Sequence, residues 1–283
     1  MAKFVLSAFA DEAGAALSDQ LDALREERIS LIELRNVDGK SCADLTGAEA
    51  DEIKKRLDGA GVRLSSLGSP YGKAPIDAPF DGHLEQFRRG LEICGRLGCG
   101  QIRMFSFYLP KDGDPAAWKD EVFRRLDTMI ALADAAGIRL MHENEKGIYG
   151  DVTSRCAELA DAFRGRMGFI FDPANFIQCG VDTLEAWETL HGDISYMHIK
   201  DALKADGAVV AAGHGDGHVA EILGRLNRER EDEVILTVEP HLTVFDGLKN
   251  LQSETLVHHE SYPSSRAAFH AACEALREIL AAL

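Results

Sequence analysis

Eight short apolar runs alternate with eight amphipathic stretches along the 283 residues, and this alternation constrains the fold more than any other feature. The runs are Phe4–Phe9, Ser30–Leu34, Arg63–Leu67, Gln101–Phe105, Arg139–His142, Gly168–Phe171, Ser195–Ile199 and Val234–Val238. Their length and β-branched, apolar content predict strands. The stretches between them, Leu17–Arg28, Ala48–Ala60, Leu84–Leu97, Ala116–Ala136, Val152–Phe163, Thr183–Leu190, Ala220–Arg228 and Arg266–Leu280, read as helices. Strand then helix, repeated eight times, predicts an α/β protein: one (β/α)₈ barrel domain spanning residues 1–283. Such a barrel needs about 250 residues. Three helical stretches stop at Gly61, Gly98 and Gly137, where glycine adopts the left-handed conformation cheaply. The runner-up architecture is an open doubly wound sheet. It gathers ligands at one switch point and wants a G-x-G-x-x-G after the first strand, which this chain lacks.

Four consecutive predicted strands end on a strong metal-binding side chain. The segments are His142-Glu143-Asn144, Phe171-Asp172-Pro173-Ala174-Asn175, Met197-His198-Ile199-Lys200-Asp201 and Val238-Glu239-Pro240-His241. Glu143, Asp172, His198 and Glu239 lie 29, 26 and 41 residues apart, about one strand-helix unit each. Ligands on successive strand ends belong to one mouth of a closed barrel. Three carboxylates and one imidazole form a hard, oxygen-rich set, expected to take a divalent ion: Mn²⁺ first, with Mg²⁺, Co²⁺ or Zn²⁺ as alternatives. A lone acid at a strand end is usually a helix cap or a surface ion pair. Four ligand types at matching ends are hard to explain that way.

The formal net charge of −16 leaves no basic footprint for nucleic acid or anionic lipid, and points to a small-molecule substrate. No run approaches the roughly 20 apolar residues of a membrane span. Phe4–Ala10 is too short for a signal-peptide core and reads as a strand. Cys42, Cys94, Cys99, Cys156, Cys179 and Cys273 form no C-x-x-C pair, as expected of reduced thiols in a cytoplasmic protein. Two connections are long: Gly68–Gly82 and Pro240–Ser264. Both fall on the ligand-bearing mouth and read as lids or contact surfaces, with a homo-oligomer contact as the alternative for the second.

With these segments in view, the chain resembles the sugar phosphate isomerase/epimerase superfamily of xylose isomerase-like TIM barrels. The resemblance is carried by Ser7-Ala8-Phe9-Ala10-Asp11-Glu12, Glu33-Leu34-Arg35, Gly68-Ser69-Pro70, the ligand segments above and Gly213-His214-Gly215-Asp216-Gly217. It implies a divalent ion held by Glu143, Asp172, His198 and Glu239, the same four positions that spacing gives independently. It departs from the ketose 3-epimerase pattern twice. Asn175 stands where those relatives usually carry a histidine, and Lys204 where they carry an arginine.

Such a site, with a local charge near −1 once a divalent ion is bound, favours neutral sugar oxygens as additional ligands. Glu143 and Glu239 are the expected acid/base pair for moving a proton through an enediolate. Arg35, Lys73, Arg103, Asn144, Asn175, Lys200 and His241 are the expected substrate-binding residues, with Tyr71, Phe105 and Phe107 as apolar walls. His142 precedes a ligand and is expected to face the helix layer. The His214–His218 segment reads as a turn before the seventh helix, or else as a second metal site like that of nuclease relatives. The leading expectation is a metal-dependent isomerase or epimerase of a small sugar, sugar phosphate or hydroxy-keto acid. The alternatives are a dehydratase or lyase on a sugar or inositol derivative, and a barrel that only binds sugar.

Overall fold

The protein, described here from a computed structural model over residues 1–244 and 257–283, forms all eight expected strands. They are β1 (Lys3–Ala8), β2 (Leu31–Leu34), β3 (Arg63–Gly68), β4 (Gln101–Met104), β5 (Arg139–Glu143), β6 (Met167–Phe171), β7 (Ile194–Ile199) and β8 (Glu233–Val238). Every pairing between them is parallel, in the order β1-β8-β7-β6-β5-β4-β3-β2. β1 and β2 lie side by side, but among the described residues no ladder joins them, so the barrel is nearly closed. The open-sheet alternative is set aside by this ring of strands.

Helices α1 (Leu17–Glu26), α2 (Gly47–Ala60), α3 (Phe80–Arg96), α4 (Pro115–Ala135) and α5 (Thr153–Ala162) follow the first five strands. Next come a short α6 (Pro173–Gln178), then α7 (Thr183–Leu190), α8 (Val219–Glu229) and α9 (Ser265–Ala281). The glycine stops behave as expected: Gly61, Gly98 and Gly137 sit at φ +69°, +70° and +68°. At the other end of α2, Thr46 and Glu49 form a reciprocal capping box. Inside the barrel, Met141, Ile170 and Tyr196 pack together with Ile235. Gly168 makes room for them, because a Cβ there would lie 2.6 Å from the Met141 sulfur.

The Gly68–Gly82 connection, expected to be a lid or contact surface, forms a wall of the mouth hydrogen-bonded to the segment after β4. The Phe105 and Phe107 amides donate to the Tyr71 and Gly72 carbonyls at 2.8 and 2.9 Å, and the Tyr108 amide donates to Ala74 at 3.0 Å. Gly72 makes this approach possible: it has φ +86°, and a Cβ on it would sit 1.9 Å from the Phe105 carbonyl oxygen. The expected lid or oligomer contact at Pro240–Ser264 falls in part on residues 245–256, outside the described residues. All six cysteines are free thiols. No helix among the described residues is long and apolar enough to cross a membrane.

One side chain ties this wall to pH. His83 on α3 accepts the Gly72 N–H at Nε2, 3.1 Å away. Burial and the nearby Arg125 lower its pKa from 6.5 to about 4. A depressed histidine stabilises the fold above its unfolded pKa and loses that contribution as pH falls toward the folded value. We therefore expect the urea midpoint to fall between about pH 6.5 and pH 4. His83→Gln keeps an acceptor without a titrating ring and should flatten the slope. An equally steep variant would remove His83 as its source.

Candidate metal centre and its charged surround

Strand geometry delivers the four expected ligands to one point. Glu143 is the last residue of β5, Asp172 directly follows β6, His198 is the penultimate residue of β7, and Glu239 directly follows β8. All four are at most 2% exposed. One ligand atom from each lies within 4.8 Å of the other three. His198 Nδ1 is 3.0 Å from Glu143 Oε1 and 3.1 Å from Glu239 Oε2. Asp172 divides its labour. Its Oδ1 caps α6 by accepting the Asn175 N–H at 2.9 Å, while Oδ2 stays turned to the centre. Pro173 at the first helical position fits the same local design.

Beneath the centre lies Glu33, the lone carboxylate in the apolar β2 sequence Leu-Ile-Glu-Leu and 1% exposed. The β2–β3 register slips at Ile32/Glu33, the kind of irregularity that re-aims side chains. Glu33 accepts from Tyr196 Oη and Thr237 Oγ1, both at 3.1 Å, and its Oε2 lies 3.2 Å from His198 Nε2. With Glu33 holding a proton on Nε2, Nδ1, which faces Glu143 and Glu239, would be the nitrogen to give up its proton to a cation. This is how an outer carboxylate fixes the tautomer of a ligating histidine. The sequence noted Glu33 only as a neighbour of Arg35. A lone acid within a buried strand was the available signal.

Each glutamate of the centre is braced by an arginine from below the rim. Arg103 Nη1 donates to Glu143 Oε2 at 2.7 Å, and Arg35 Nη1 donates to Glu239 Oε1 at 2.9 Å. The ring of Phe9 separates the two guanidiniums, whose carbons lie 5.2 and 4.5 Å from its centroid. Arg35 is also tied to Asp11 at 3.0 and 3.1 Å and to Glu12 at 3.1 Å. These bonds join the ends of β1, β2 and β8 across the seam that lacks a ladder. Asp11 and Glu12 belong to a segment the sequence marked without assigning them a role; the apolar run before them hides that they turn inward.

The remaining expected site residues divide into two groups. Lys200, His241 and Asn175 join the centre. Lys200 Nζ is 2.9 Å from Asp172 Oδ2 and 3.9 Å from Glu239 Oε2. His241 Nε2 is 3.4 Å from Glu239 Oε1. Asn175 Nδ2 donates to Glu143 Oε1 at 3.3 Å and to the Asn144 carbonyl at 2.9 Å. Asn144 and Lys73 are engaged elsewhere. The Asn144 amide bridges the Asp172 peptide in both directions at 2.9 Å, so it acts as a strut. Lys73 donates to Glu145 at 2.7 Å, with its ammonium 4.4 Å from the Phe105 ring centroid. Tyr71 packs on Phe87 and Gly90 of α3, and Phe107 packs on Phe80 and His83, so these two rings are not walls of the centre. His142 turns to Ser106 Oγ, 3.0 Å away, in the helix layer.

The glycine-rich segment forms a turn around Asp201. The Gly213, Gly215 and Gly217 amides donate to its carboxylate at 2.9, 3.1 and 2.9 Å. Among the described residues, His214 and His218 join no metal-type cluster. Lys204 is exposed, away from the centre.

The donor set fits a divalent cation. Asp172 Oδ2 and Glu239 Oε2 are buried with no aligned hydrogen-bond donor. Burial raises Asp172 to about 7, with Lys200 opposing it and Glu143 and Glu239 adding to it. Burial also pushes Glu143 up, but His198 and Arg103 outweigh it and hold the carboxylate well below its usual range. Glu239 is likewise held low, with Lys200 and His198 overcoming burial. His198 is pulled down by burial yet raised well above its usual range by Glu143 and Glu33. The centre is short of positive charge, and Glu143, Asp172, His198 and Glu239 are the residues that would hold a cation supplying it.

Comparison with known proteins gives the chain its family. Residues 22–255 match the family model described as xylose isomerase-like TIM barrel. No curated protein matches. Among solved structures, the zinc-bound IOLI protein aligns with a TM-score of 0.74 at 15% identity, covering 99% of this chain and 98% of that one. An L-ribulose 3-epimerase aligns with a TM-score of 0.72 at 18% identity, covering 100% and 95%. The probable 3-DHS dehydratase AsbF from Bacillus anthracis aligns with a TM-score of 0.70 at 13% identity, covering 98% and 99%. At such identities the likeness is one of fold. The family model spans well over half of the chain, and the protein belongs to the xylose isomerase-like TIM barrel family.

Proposed function

We propose that this protein is a divalent-metal-dependent isomerase or epimerase acting on a small sugar, sugar phosphate or hydroxy-keto acid. The observation that carries the reading is the convergence of Glu143, Asp172, His198 and Glu239, with the two glutamates braced by separate arginines. Manganese is the proposed ion, because three carboxylates and one imidazole make a hard set; Mg²⁺, Co²⁺ and Zn²⁺ are the alternatives. When bound, the cation supplies Lewis acidity to a carbonyl and its neighbouring hydroxyl. The epimerase and zinc-bound neighbours are compatible with this reading. We place the reaction in the cytoplasm, where six free thiols persist.

Glu143 and Glu239 reach the centre from β5 and β8, and both are held ionised, so either can accept a proton from a substrate carbon. For isomerisation, one glutamate takes the proton and returns it to the adjacent carbon. For epimerisation, one glutamate takes the proton while the second must enter protonated, give its proton to the opposite face and leave ionised. Arg103 and Arg35 keep the glutamates aimed. Asn175 Oδ1, buried without a donor, is suited to accept from a sugar hydroxyl. Lys200, His241 and Arg103 would bind the polar groups of the substrate, while Arg35, expected to do the same, is committed to Asp11, Glu12, Glu239 and His241. Asn144 would position Asp172, and Lys73 with Glu145 would line the rim.

A second reading is a dehydratase or lyase on a sugar or inositol derivative. It draws on the same ionised glutamates: elimination needs one base and a departing hydroxyl, whereas epimerisation needs the second group to carry a proton. A dehydratase also stands among the structural neighbours. Product mass separates the readings, because isomerisation conserves it and dehydration loses water.

Two outcomes are expected. With Mn²⁺ and a panel of ketoses, ketose phosphates and hydroxy-keto acids in D₂O, Glu143→Gln and Glu239→Gln should each lose about 10²–10⁴-fold in C–H exchange while keeping the fold by circular dichroism. Undiminished exchange in both variants would remove the glutamates from proton transfer. Adding Mn²⁺ at 100 times its Kd to chelator-treated protein should stabilise it by about 2.7 kcal/mol in denaturant titrations, and Asp172→Ala should abolish most of that gain. An equal gain in Asp172→Ala would put the cation elsewhere.

A further inference from the structure

Glu239 belongs to two ligand groups at once. Besides the centre described above, Glu12, Glu239 and His241 each bring one ligand atom within 4.8 Å of the other two. The two oxygens of Glu239 face different groups. Oε2 lies 3.1 Å from His198 Nδ1, and Oε1 lies 3.4 Å from His241 Nε2. A carboxylate with one oxygen in each of two adjacent ligand sets has the disposition of a bridge between paired cations, which sit about 3.5–4 Å apart in two-metal sites.

The second set is already occupied by part of the chain itself. Arg35 Nη1 donates to Glu239 Oε1 at 2.9 Å and faces His241 Nε2 at 3.2 Å, while Nη2 donates to Glu12 Oε1 at 3.1 Å. All three would-be ligands thus turn an atom to one guanidinium. His241 Nε2, which faces the guanidinium and lies 3.5 and 3.4 Å from Glu12 Oε1 and Glu239 Oε1, is also the atom that a metal would use. Asp11 grips the guanidinium from Nε and Nη2 at 3.0 and 3.1 Å, and Asn36 Nδ2 steadies Asp11 at 2.8 Å. His241 is itself held at φ +48°, its N–H donated to Glu12 Oε2 at 2.7 Å. Arg35, Asp11 and Glu12 are each at most 5% exposed, so the guanidinium has little room to withdraw.

We infer that the Arg35 guanidinium stands in for a second divalent cation, so that the protein takes one metal ion and carries a latent second site formed by Glu12, Glu239 and His241. The inference rests on the metal-centre reading above. A guanidinium keeps its proton throughout the physiological range, so it cannot yield the place by deprotonating. It supplies one positive charge and directional donors where a metal would supply two charges and open coordination positions. It also keeps Oε1 of Glu239 engaged, leaving Oε2 for the centre.

Metal stoichiometry tests this without reference to turnover. Chelator-treated protein is titrated with Mn²⁺, and bound metal is counted by mass spectrometry and by electron paramagnetic resonance. The wild-type chain should bind one Mn²⁺. Arg35→Ala should bind two and show the signature of an exchange-coupled pair. Arg35→Ala combined with His241→Ala should return to one. Two ions in the wild type, or a single ion in a folded Arg35→Ala, would overturn the inference and leave the metal centre standing. No bound Mn²⁺ in the wild type would overturn both. Should Arg35→Ala fail to fold, Arg35→Gln, which keeps a donor for Asp11 but removes the charge, is titrated in its place: two Mn²⁺ support the inference, and one overturns it.

Discussion

The mouth of this barrel is organised by a shortage of positive charge. Asp11, Glu12, Glu33, Glu143, Asp172 and Glu239 are all buried there, facing the permanent cations Arg35, Arg103 and Lys200 and the imidazoles of His198 and His241. A buried ionised carboxylate without a partner is costly, so each must be paired, protonated or bound to a metal. Arg35 answers for Asp11, Glu12 and one oxygen of Glu239, and Arg103 for one oxygen of Glu143. What remains is a set of oxygens converging with His198 Nδ1, and Asp172 sits near pH 7 because burial outweighs the lysine beside it. A divalent cation would resolve that imbalance.

The same interactions hold the architecture. The described ladder runs continuously from β1 through β8 to β2 and stops there, and the Arg35 network spans the gap at the mouth. At the opposite end of β2's approach, Glu27 pairs with His270 and Arg277 of α9 at 2.7 and 2.6 Å. Ion pairs of Arg35 thus bridge β1 and β2 at the mouth, where the other strand pairs are joined by backbone hydrogen bonds. Removing Arg35 strips partners from three buried carboxylates together, and buried pairs broken on one side typically cost about 3–5 kcal/mol.

Much of the fold and the ligand set was legible in the sequence because the cues are local. Strand and helix limits follow from periodicity and from stops such as Gly61, Gly98 and Gly137, and they match the structure to within a few residues. Glu143, Asp172, His198 and Glu239 stood out because a barrel puts successive strand ends on one face. What was missed shares one property. Glu33, Asp11 and Glu12 act through partners on other elements: Glu33 on His198 is a contact across 165 residues, Glu12 on His241 one across 229, and Asp11 on Arg35 one across 24. The wall at residues 69–79 read as a loop for a similar reason, since its pairing with 105–108 lies beyond the reach of a local pattern.

The sequence by itself determined the strand-helix alternation, the barrel class and the four candidate ligand positions, because residue type and period encode these directly. Tertiary structure alone decided which oxygen of each carboxylate faces the centre. Asp172 gives Oδ1 to a helix cap, Glu239 gives Oε1 to Arg35, and Glu143 gives Oε2 to Arg103. It also decided that Asn144 is a strut and that Lys73 pairs with Glu145. Such choices rest on donor distances of about 3 Å between residues from different strands, set by strand tilt, register and closure. No pattern along one strand records them.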